Sequence, residues 1–264
     1  MSSCLRHGEC KPTPVTRIRT KAQIVMMSPV IPNPASTVVL VRPERDGSVG
    51  IFMNRRPEKM ETYAGVYVFP GGRVEADDWS KKMLALIRGL SPAQAQRILS
   101  VDSPPEFCLG YWVAAARELF EEAGILLFVG ADGASSLTAE EKLAGRLAEK
   151  RQSLQQGKLD FPSVLESERL HCDVSRMIYF FHRITPEHYP VRFDTRFYLA
   201  ALPPGQSPLH ASEEVAESLW ITPQEALSRF ESGSFPMAPP TVMVLRTLAV
   251  HHTWQALCAA FRLA

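Results

Sequence analysis

The stretch Gly110–Ile125, GYWVAAARELFEEAGI, decides how this chain folds and which chemistry it supports. At the 100° per residue of an α-helix, Glu118, Glu121 and Glu122 share an arc of roughly 100°. The apolar side chains of the stretch occupy an arc of roughly 120° on the far side. One face of the helix therefore packs on a core while the other gathers three carboxylates. We expect the helix to end at Gly124, because glycine tolerates the left-handed conformation of a helix end.

Three carboxylates on one helix face allow two interpretations. Like charges at these spacings repel each other by a few tenths of a kcal/mol per pair, which is tolerable on a solvated acidic face. The same cluster is also a set of hard oxygen ligands suited to Mg²⁺ or Mn²⁺, and a bound ion would turn the repulsion into coordination. The helix alone does not decide between the two.

A second stretch upstream bears on this choice. Residues 65–72, GVYVFPGG, are a short β-rich run that ends in paired glycines, which let backbone carbonyls approach a ligand closely. Together, FPGG-x-x-E and AARELFEEAGI resemble the Nudix box, the signature of hydrolases that cleave a nucleoside diphosphate linked to another moiety. The second half of the box matches at every fixed position: Arg117, Glu118, Leu119, Glu121, Glu122, Gly124 and Ile125.

The first half of the box departs from the usual pattern. Gly72 matches, but Asp78 stands where glutamate is expected, and the gap from Asp78 to Arg117 is about 30 residues too long. Such an insertion resembles the branch of the superfamily that includes a peroxisomal coenzyme A diphosphatase of animals. Residues 184–203 and 220–227 are similar to that branch as well. The resemblance covers roughly residues 35–250 and implies an α/β fold, the Nudix-type α/β/α sandwich with a mixed sheet and helical insertions.

The chain then divides into an arm and one domain. Residues 1–34 are rich in proline, serine and basic residues, and we expect a flexible N-terminal arm. Residues 35–264 are predicted to form the Nudix domain. It carries one helical insertion at about 79–108, inside the box, and a second at about 131–173. The first insertion is expected either to line the substrate cleft or to serve stability or dimerisation.

Hydrophobic periodicity and turn residues place the secondary structure. Strands are predicted at 36–42, 50–54, 64–69, 126–129, 177–184, 192–202 and 217–221. Beyond the box, helices are predicted at 80–89, 91–99, 138–156, 161–170, 223–230 and 239–263. Ser91 and Thr222 are the expected N-caps of two of them.

The resemblance assigns roles to the box residues. It implies that Glu118 and Glu122 are ligands of Mg²⁺ or Mn²⁺, and that Glu121 acts as a ligand or in activating water. The carbonyl of Gly71 is an expected further oxygen ligand. Arg117 would hold the glutamates in place by a salt bridge, which Asp78 or Glu75 could share.

A distal carboxylate often completes such sites as base or ligand. Glu214 is the favoured candidate, because its offset from Trp220 resembles that of the extra glutamate in some Nudix enzymes. Glu213 and Glu217 lie in the same polar stretch, and for each of the three a solvated loop acid is the alternative.

Phosphate contacts are predicted from arginines, which bind phosphate in a bidentate manner. In a strand, Arg192, Asp194 and Arg196 would share one face and Phe193 and Phe197 the other. The two arginines are candidate phosphate ligands. A structural pairing of an arginine with Asp194 is the alternative.

The substrate class follows from the branch resemblance. GVYVFPGG partly matches the end of the coenzyme A motif of this branch, and the arginine-containing part of that motif is present loosely, at Arg55. Arg55 and Gly72 are therefore predicted substrate contacts. The expected substrate is coenzyme A or acyl-CoA. The alternatives are ADP-ribose, a nucleotide sugar or a dinucleotide, and, in another class, a non-catalytic nucleotide-binding regulator. Retention of all three box glutamates argues against the regulator.

Composition limits the remaining possibilities. The net charge is +1 with no long basic run, so we expect a small-molecule partner and no nucleic acid. No run of 18 apolar residues occurs, and we expect no membrane span. The five cysteines are odd in number, widely spaced and free of CxxC pairs, which predicts free thiols in a reducing, cytoplasmic setting. A homodimer is expected because Nudix enzymes often form one.

Overall fold

The computed structural model of the 264-residue chain describes residues 30–59, 64–130, 141–209 and 215–263. The strands are β1 Asn33–Pro43, β2 Val49–Arg55, β3 Tyr67–Val68, β4 Gly71–Arg73, β5 Ile87–Arg88, β6 Phe128–Gly130, β7 Leu170–Asp173, β8 Met177–Ile184, β9 Phe193–Ala201 and β10 Glu217–Ile221. The α-helices are α1 Lys81–Ala85, α2 Pro92–Leu99, α3 Pro105–Ala123, α4 Glu141–Gln155, α5 Phe161–Ser167, α6 Pro223–Glu231, α7 Pro239–Ala249 and α8 Trp254–Phe261. Residues 1–29 of the predicted arm lie outside the described part.

The main sheet has seven strands, and β1 is its centre. The order is β10-β2-β1-β9-β8, with β3 paired to β2 and β4 paired to β1. The long β1–β9 pair is parallel, whereas the other pairs are antiparallel, so the sheet is mixed as predicted. The turn between β1 and β2 is closed by Gly47, whose φ of 83° requires the freedom of glycine.

Both faces of the main sheet are covered. α3 packs on the face that carries Val38, Leu40 and Tyr198, while α6, α7 and α8 cover the face that carries Val39 and Leu199. Side chains that alternate along the strands therefore contribute to two hydrophobic cores, one on each face of the sheet. This arrangement is the predicted α/β/α sandwich.

The two insertions combine into one additional layer beside α3. β5 from the first insertion pairs in parallel with β7 from the second, and β6 pairs with β7 on its other side. Lys82 of the first insertion donates to Ser163 of the second at 2.7 Å. The helix expected at 80–89 ends at Ala85, since the following residues form β5. That part of the prediction is wrong because β5 is created by a partner far along the chain.

The C-terminal segment corrects a second prediction. A single helix was expected from 239 to 263, but α7 ends at Ala249 and α8 begins at Trp254. Thr253 caps α8 by accepting a hydrogen bond from the Ala256 N–H, and the Trp254 N–H donates to the Gly47 carbonyl at 2.9 Å. A contact with the β1–β2 turn therefore accompanies the break.

The cysteines and the lengths of the helices bear on two predictions from the sequence, and both observations are limited to the described residues. Their three cysteines, Cys108, Cys172 and Cys258, are free thiols. Across these same residues, no helix is both long enough and apolar enough to cross a membrane.

Candidate active site

The catalytic candidates lie on the last turns of α3. The helix starts at Pro105, five residues before the predicted start, and ends at Gly124 with φ 68°, as predicted. Ser36 of β1 is fully buried and donates to the Tyr111 carbonyl at 2.7 Å, which ties the helix to the sheet. The glutamates are thereby fixed above the edge formed by β4.

Arg117 is the hub of the site. The residue is 5% exposed, and its three side-chain nitrogens all donate hydrogen bonds. Nη1 bonds Glu118 Oε1 at 2.7 Å and Glu121 Oε1 at 3.1 Å, and Nη2 bonds the Arg73 carbonyl at 2.8 Å. The predicted salt bridge from Arg117 to the glutamates is present in the structure. It also locks β4 onto α3.

Asp78 completes this hub. It is 1% exposed and binds Arg117 in a bidentate manner, at 2.9 Å to Nε and 3.1 Å to Nη2. The Glu75 N–H donates to Asp78 at 2.8 Å, and these two residues form a capping box on the short 3₁₀ helix Ala76–Trp79. Of the two acids considered for sharing the arginine, Asp78 does so. The 3₁₀ turn brings the shorter aspartate within reach.

The side chains of Glu118 and Glu121 are 13% and 19% exposed. Burial raises the pKa of Glu118 to about 7 and also raises the pKa of Glu121, against the opposing charge of Arg117. Glu122 accepts from Asn54 Nδ2 at 3.4 Å, and the Ser218 hydroxyl donates to the side-chain oxygen Oδ1 of Asn54 at 2.8 Å. Asn54 was missed in the sequence, although a polar residue at the end of the apolar run GIFM was an available signal.

Gly72 lies directly against the Glu118 carboxylate. A Cβ on Gly72 would overlap both carboxylate oxygens of Glu118. Gly71, in turn, is pressed against β1, where a Cβ would meet the Ser36 carbonyl and Thr37. The glycine pair therefore serves close approach on two sides, one toward the sheet and one toward the carboxylates.

Gly72→Ala is expected to reduce activity strongly with little loss of stability, because the methyl group displaces the side-chain carboxylate of Glu118 rather than backbone. Gly145→Ala is the matched control, since nothing lies within 4 Å of a Cβ there and the residue is inside α4. The control should gain up to about 1 kcal/mol in the free energy of unfolding and keep its activity. Equal activity of the two variants would contradict the proximity of Gly72 to the reacting centre.

The donor set suits a divalent cation. Within the described ranges, no three acidic, histidine or cysteine side chains already stand in a coordinating arrangement. Arg117 holds one oxygen of Glu118 and one of Glu121. What fits is the chemistry: three carboxylates on one helix face and a glycine backbone in contact with one of them. Glu118, Glu121 and Glu122 would hold the ion.

The second insertion clamps the end of α3. Arg151 Nη1 donates to the Glu121 carbonyl at 2.6 Å, and Gln155 Nε2 donates to the same oxygen at 2.7 Å. The last carbonyls of a helix have no partner within the helix, and a cation there complements the helix dipole. Both donors come from α4, so the second insertion fixes the backbone of Glu121, one of the three candidate glutamates.

Arg151→Met is expected to lower the free energy of unfolding by about 1–2 kcal/mol and to reduce kcat more than it changes KM. Lys142→Met, at an exposed position on the same helix, is the control and should behave like the unmodified protein. Chemical denaturation and steady-state kinetics measure both effects. A loss of stability with unchanged kcat would mean that the clamp is structural only.

Two cavities adjoin the site, one lined by the glycine pair and the other by Glu121. The α7 cavity has a volume of about 370 Å³ and is lined by Ala35, Thr37, Arg56, Val68, Phe69, Gly71, Gly72, Arg73, Thr185, Phe193, Thr195, Phe197, Ala238, Pro240 and Thr241. The α4–α5 cavity has a volume of about 590 Å³ and is lined by Glu75, Asp77, Arg117, Glu121, Leu154, Gln155, Gly157, Lys158, Leu159, Asp160 and Phe161. The second insertion thus lines the site, whereas residues 80–104 of the first contribute to neither cavity.

The predicted substrate-binding arginines lie elsewhere. Arg192 donates to the carbonyls of Thr185 and Val30, and Arg55 donates to the Gly65 carbonyl and to Glu58. Neither arginine is among the described residues that line the two cavities. Their role in substrate binding stays a prediction.

Arg196 is buried on the α3 face of the sheet. It bonds the Tyr179 hydroxyl at 3.3 Å and lies 3.5 Å from Asp194, the structural pairing named as the alternative. The arginines that do line the α7 cavity are Arg56 and Arg73. The position of Arg73 directly after the glycine pair was the signal in the sequence.

The distal carboxylate stays a prediction. Glu214 and Glu213 lie outside the described residues. Glu217 accepts a hydrogen bond from the Tyr67 hydroxyl at 2.9 Å, which gives it a structural contact at the edge of the main sheet.

This chain is similar to a known protein family and to several curated proteins. A family model described as the NUDT19 Nudix domain matches residues 21–248. The acyl-coenzyme A diphosphatase NUDT19 of Gallus gallus is 33% identical over 206 residues, covering 66% of this chain and 54% of that protein. The protein of the same name from Homo sapiens is 28% identical over an alignment of 284 positions, covering 94% of this chain and 72% of that protein.

The fold of this chain is similar to that of a solved structure. The NUDIX hydrolase from Alicyclobacillus acidocaldarius is 24% identical with a TM-score of 0.66, covering 87% of this chain and 96% of that one. The chain spans about half of several curated relatives, 54% of the Gallus gallus protein, 59% of the Xenopus laevis protein and 47% of a Caenorhabditis elegans putative nudix hydrolase. Since the family model matches most of the chain, and the box residues meet at one site, this chain belongs to the Nudix family, in the branch described by the NUDT19 Nudix domain.

Proposed function

We propose that the chain hydrolyses the diphosphate of coenzyme A and acyl-CoA, with Mg²⁺ or Mn²⁺ as cofactor. Water would add to one phosphorus and the bridging P–O bond would break, giving a phosphopantetheine and an adenosine bisphosphate. The observation that carries this proposal is the Arg117 hub, which binds both Glu118 and Glu121 while Glu118 lies against Gly72. The names of the relatives support the substrate.

The site residues have different proposed roles. Glu118, Glu121 and Glu122 would hold the cation, which when bound neutralises phosphate charge and lowers the pKa of a coordinated water. Arg117 keeps Glu118 and Glu121 in place. For Glu121 the alternative to a ligand role is to accept the proton of the attacking water; burial raises the pKa of this carboxyl, and the charge of Arg117 opposes that rise. The Arg73 carbonyl, held by Arg117, fixes the glycine pair beside the diphosphate.

A competitive hydrolysis screen tests the proposal. Coenzyme A, acetyl-CoA, ADP-ribose, NADH, a nucleotide sugar and a dinucleoside polyphosphate are compared with Mg²⁺, with Mn²⁺ and with chelator. Preference for the coenzyme A compounds supports the proposed substrate. Preference for another diphosphate overturns the substrate and keeps the chemistry, whereas tight binding without turnover points to a regulatory domain. The cytoplasmic location and the homodimer expected from the sequence are part of the same proposal.

A further inference from the structure

The charged side chains in the described lining of the α7 cavity are all basic. Its described lining contains the two arginines Arg56 and Arg73 and no acidic side chain. Apolar surface comes from Phe69, Phe193 and Phe197, with the Arg73 guanidinium 5.9 Å from the centre of the Phe193 ring. Aromatic faces beside arginines are suited to a flat base that carries phosphate. The cavity volume of about 370 Å³ falls within the range of small-molecule sites.

The α4–α5 cavity has the opposite character. Glu75, Asp77, Glu121 and Asp160 line it. Arg117 is also part of this lining but already binds three carboxylates, which leaves Lys158 as the other cation among the described lining residues. A phosphate placed there would be repelled. If the diphosphate lies at Gly72, the substrate end that carries an additional phosphate therefore has one favourable direction, toward the α7 cavity.

The start of α7 supplies hydrogen-bond donors to that cavity. Thr241 is 5% exposed, lines the cavity and makes no side-chain hydrogen bond to any residue that the structure describes. The N-cap Ala238 provides no side-chain cap, and Pro239 and Pro240 have no N–H to donate. The Thr241 N–H and hydroxyl are thus the donors of this helix end, where the helix dipole favours an anion.

We propose that the α7 cavity binds the nucleotide end of coenzyme A, with Arg73 and Thr241 contacting the phosphate on the ribose. The inference rests on the proposed function and deepens it. The adenine would lie against the phenylalanines, and the pantetheine would leave toward the α4–α5 cavity. Arg73 is anchored for this role because Arg117 holds its carbonyl while its guanidinium faces the cavity. Recognition of that phosphate would separate coenzyme A from diphosphates that lack it.

The test compares coenzyme A with 3′-dephospho-coenzyme A. The unmodified protein should favour coenzyme A in kcat/KM by roughly 10- to 100-fold, the value of hydrogen bonds to a charged group. Arg73→Gln and Thr241→Val should each remove much of this preference, mainly by raising KM for coenzyme A. Arg97→Gln on α2 and Thr247→Val on α7 are matched controls outside both cavities and should keep the preference.

Binding without turnover separates this inference from the proposed function. Adenosine 3′,5′-bisphosphate should bind more tightly than 5′-AMP by calorimetry, and the two test variants should lose that difference. If coenzyme A is hydrolysed but the preference is absent, or the variants affect both substrates equally, the inference is wrong and the function stands. If coenzyme A is not cleaved but the bisphosphate still binds selectively through Arg73 and Thr241, the inference stands and the function fails.

Discussion

Arg117→Met is expected to lower the free energy of unfolding by roughly 3–5 kcal/mol and to abolish activity. The substitution leaves Asp78, at 1% exposure, as a buried carboxylate without its counter-charge, which is the costly way to break a buried ion pair. It also releases Glu118 and Glu121 from their common donor. Chemical denaturation and steady-state hydrolysis measure the two effects. The exposed Arg97→Met on α2 is the control and should change neither.

A double-mutant cycle identifies the cause of that loss. Asp78→Asn in the Arg117→Met background should cost much less than in the unmodified protein, with a coupling energy of about 1–3 kcal/mol. Arg117→Lys should recover only part of the stability, because an ammonium group does not reproduce the forked contact with Asp78. Additive effects of the two single variants would show that Asp78 and Arg117 do not act as a pair.

Glu122→Gln is expected to reduce kcat by at least about 100-fold while the fold stays intact. The amide is a weaker ligand for a hard cation, and metal-assisted charge stabilisation is worth several kcal/mol in phosphate chemistry. Stability should change by no more than about 0.5 kcal/mol, since one of three mutually repelling charges is removed. Hydrolysis, metal titration and thermal unfolding are the measurements.

Glu106→Gln is the matched control for this variant. Glu106 lies in the first turn of the same helix and lines neither cavity. Both variants lose one negative charge from α3, so a general electrostatic effect would change them alike. Full activity of a folded Glu122→Gln protein would refute the assignment of Glu122 as a metal ligand.

The secondary structure follows from local patterns in much of the chain. β8 and β10 occur at the predicted residues, because alternating side chains and flanking turn residues are local signals. α2 begins at the predicted cap, where Ser91 accepts from Gln94, and α6 begins at Thr222 in the same way. Local signals failed where a distant partner decides the structure. β5 exists because β7 lies beside it, and the 239–263 segment breaks at a contact with Gly47.

The candidate site shows the same contrast between local sequence signals and contacts of distant residues. The sequence by itself determined the carboxylate face of α3 and its end at Gly124, because the helix period and a glycine stop are local properties. The salt bridge of Arg117 was implied by the resemblance to the Nudix box. Only the tertiary structure decided that Asp78 reaches Arg117 across the insertion, that Asn54 bonds Glu122 and that Arg151 and Gln155 hold Glu121. It also decided the opposite charges of the two cavities. These features depend on which distant side chains share a volume, and neither periodicity nor spacing along the chain encodes that.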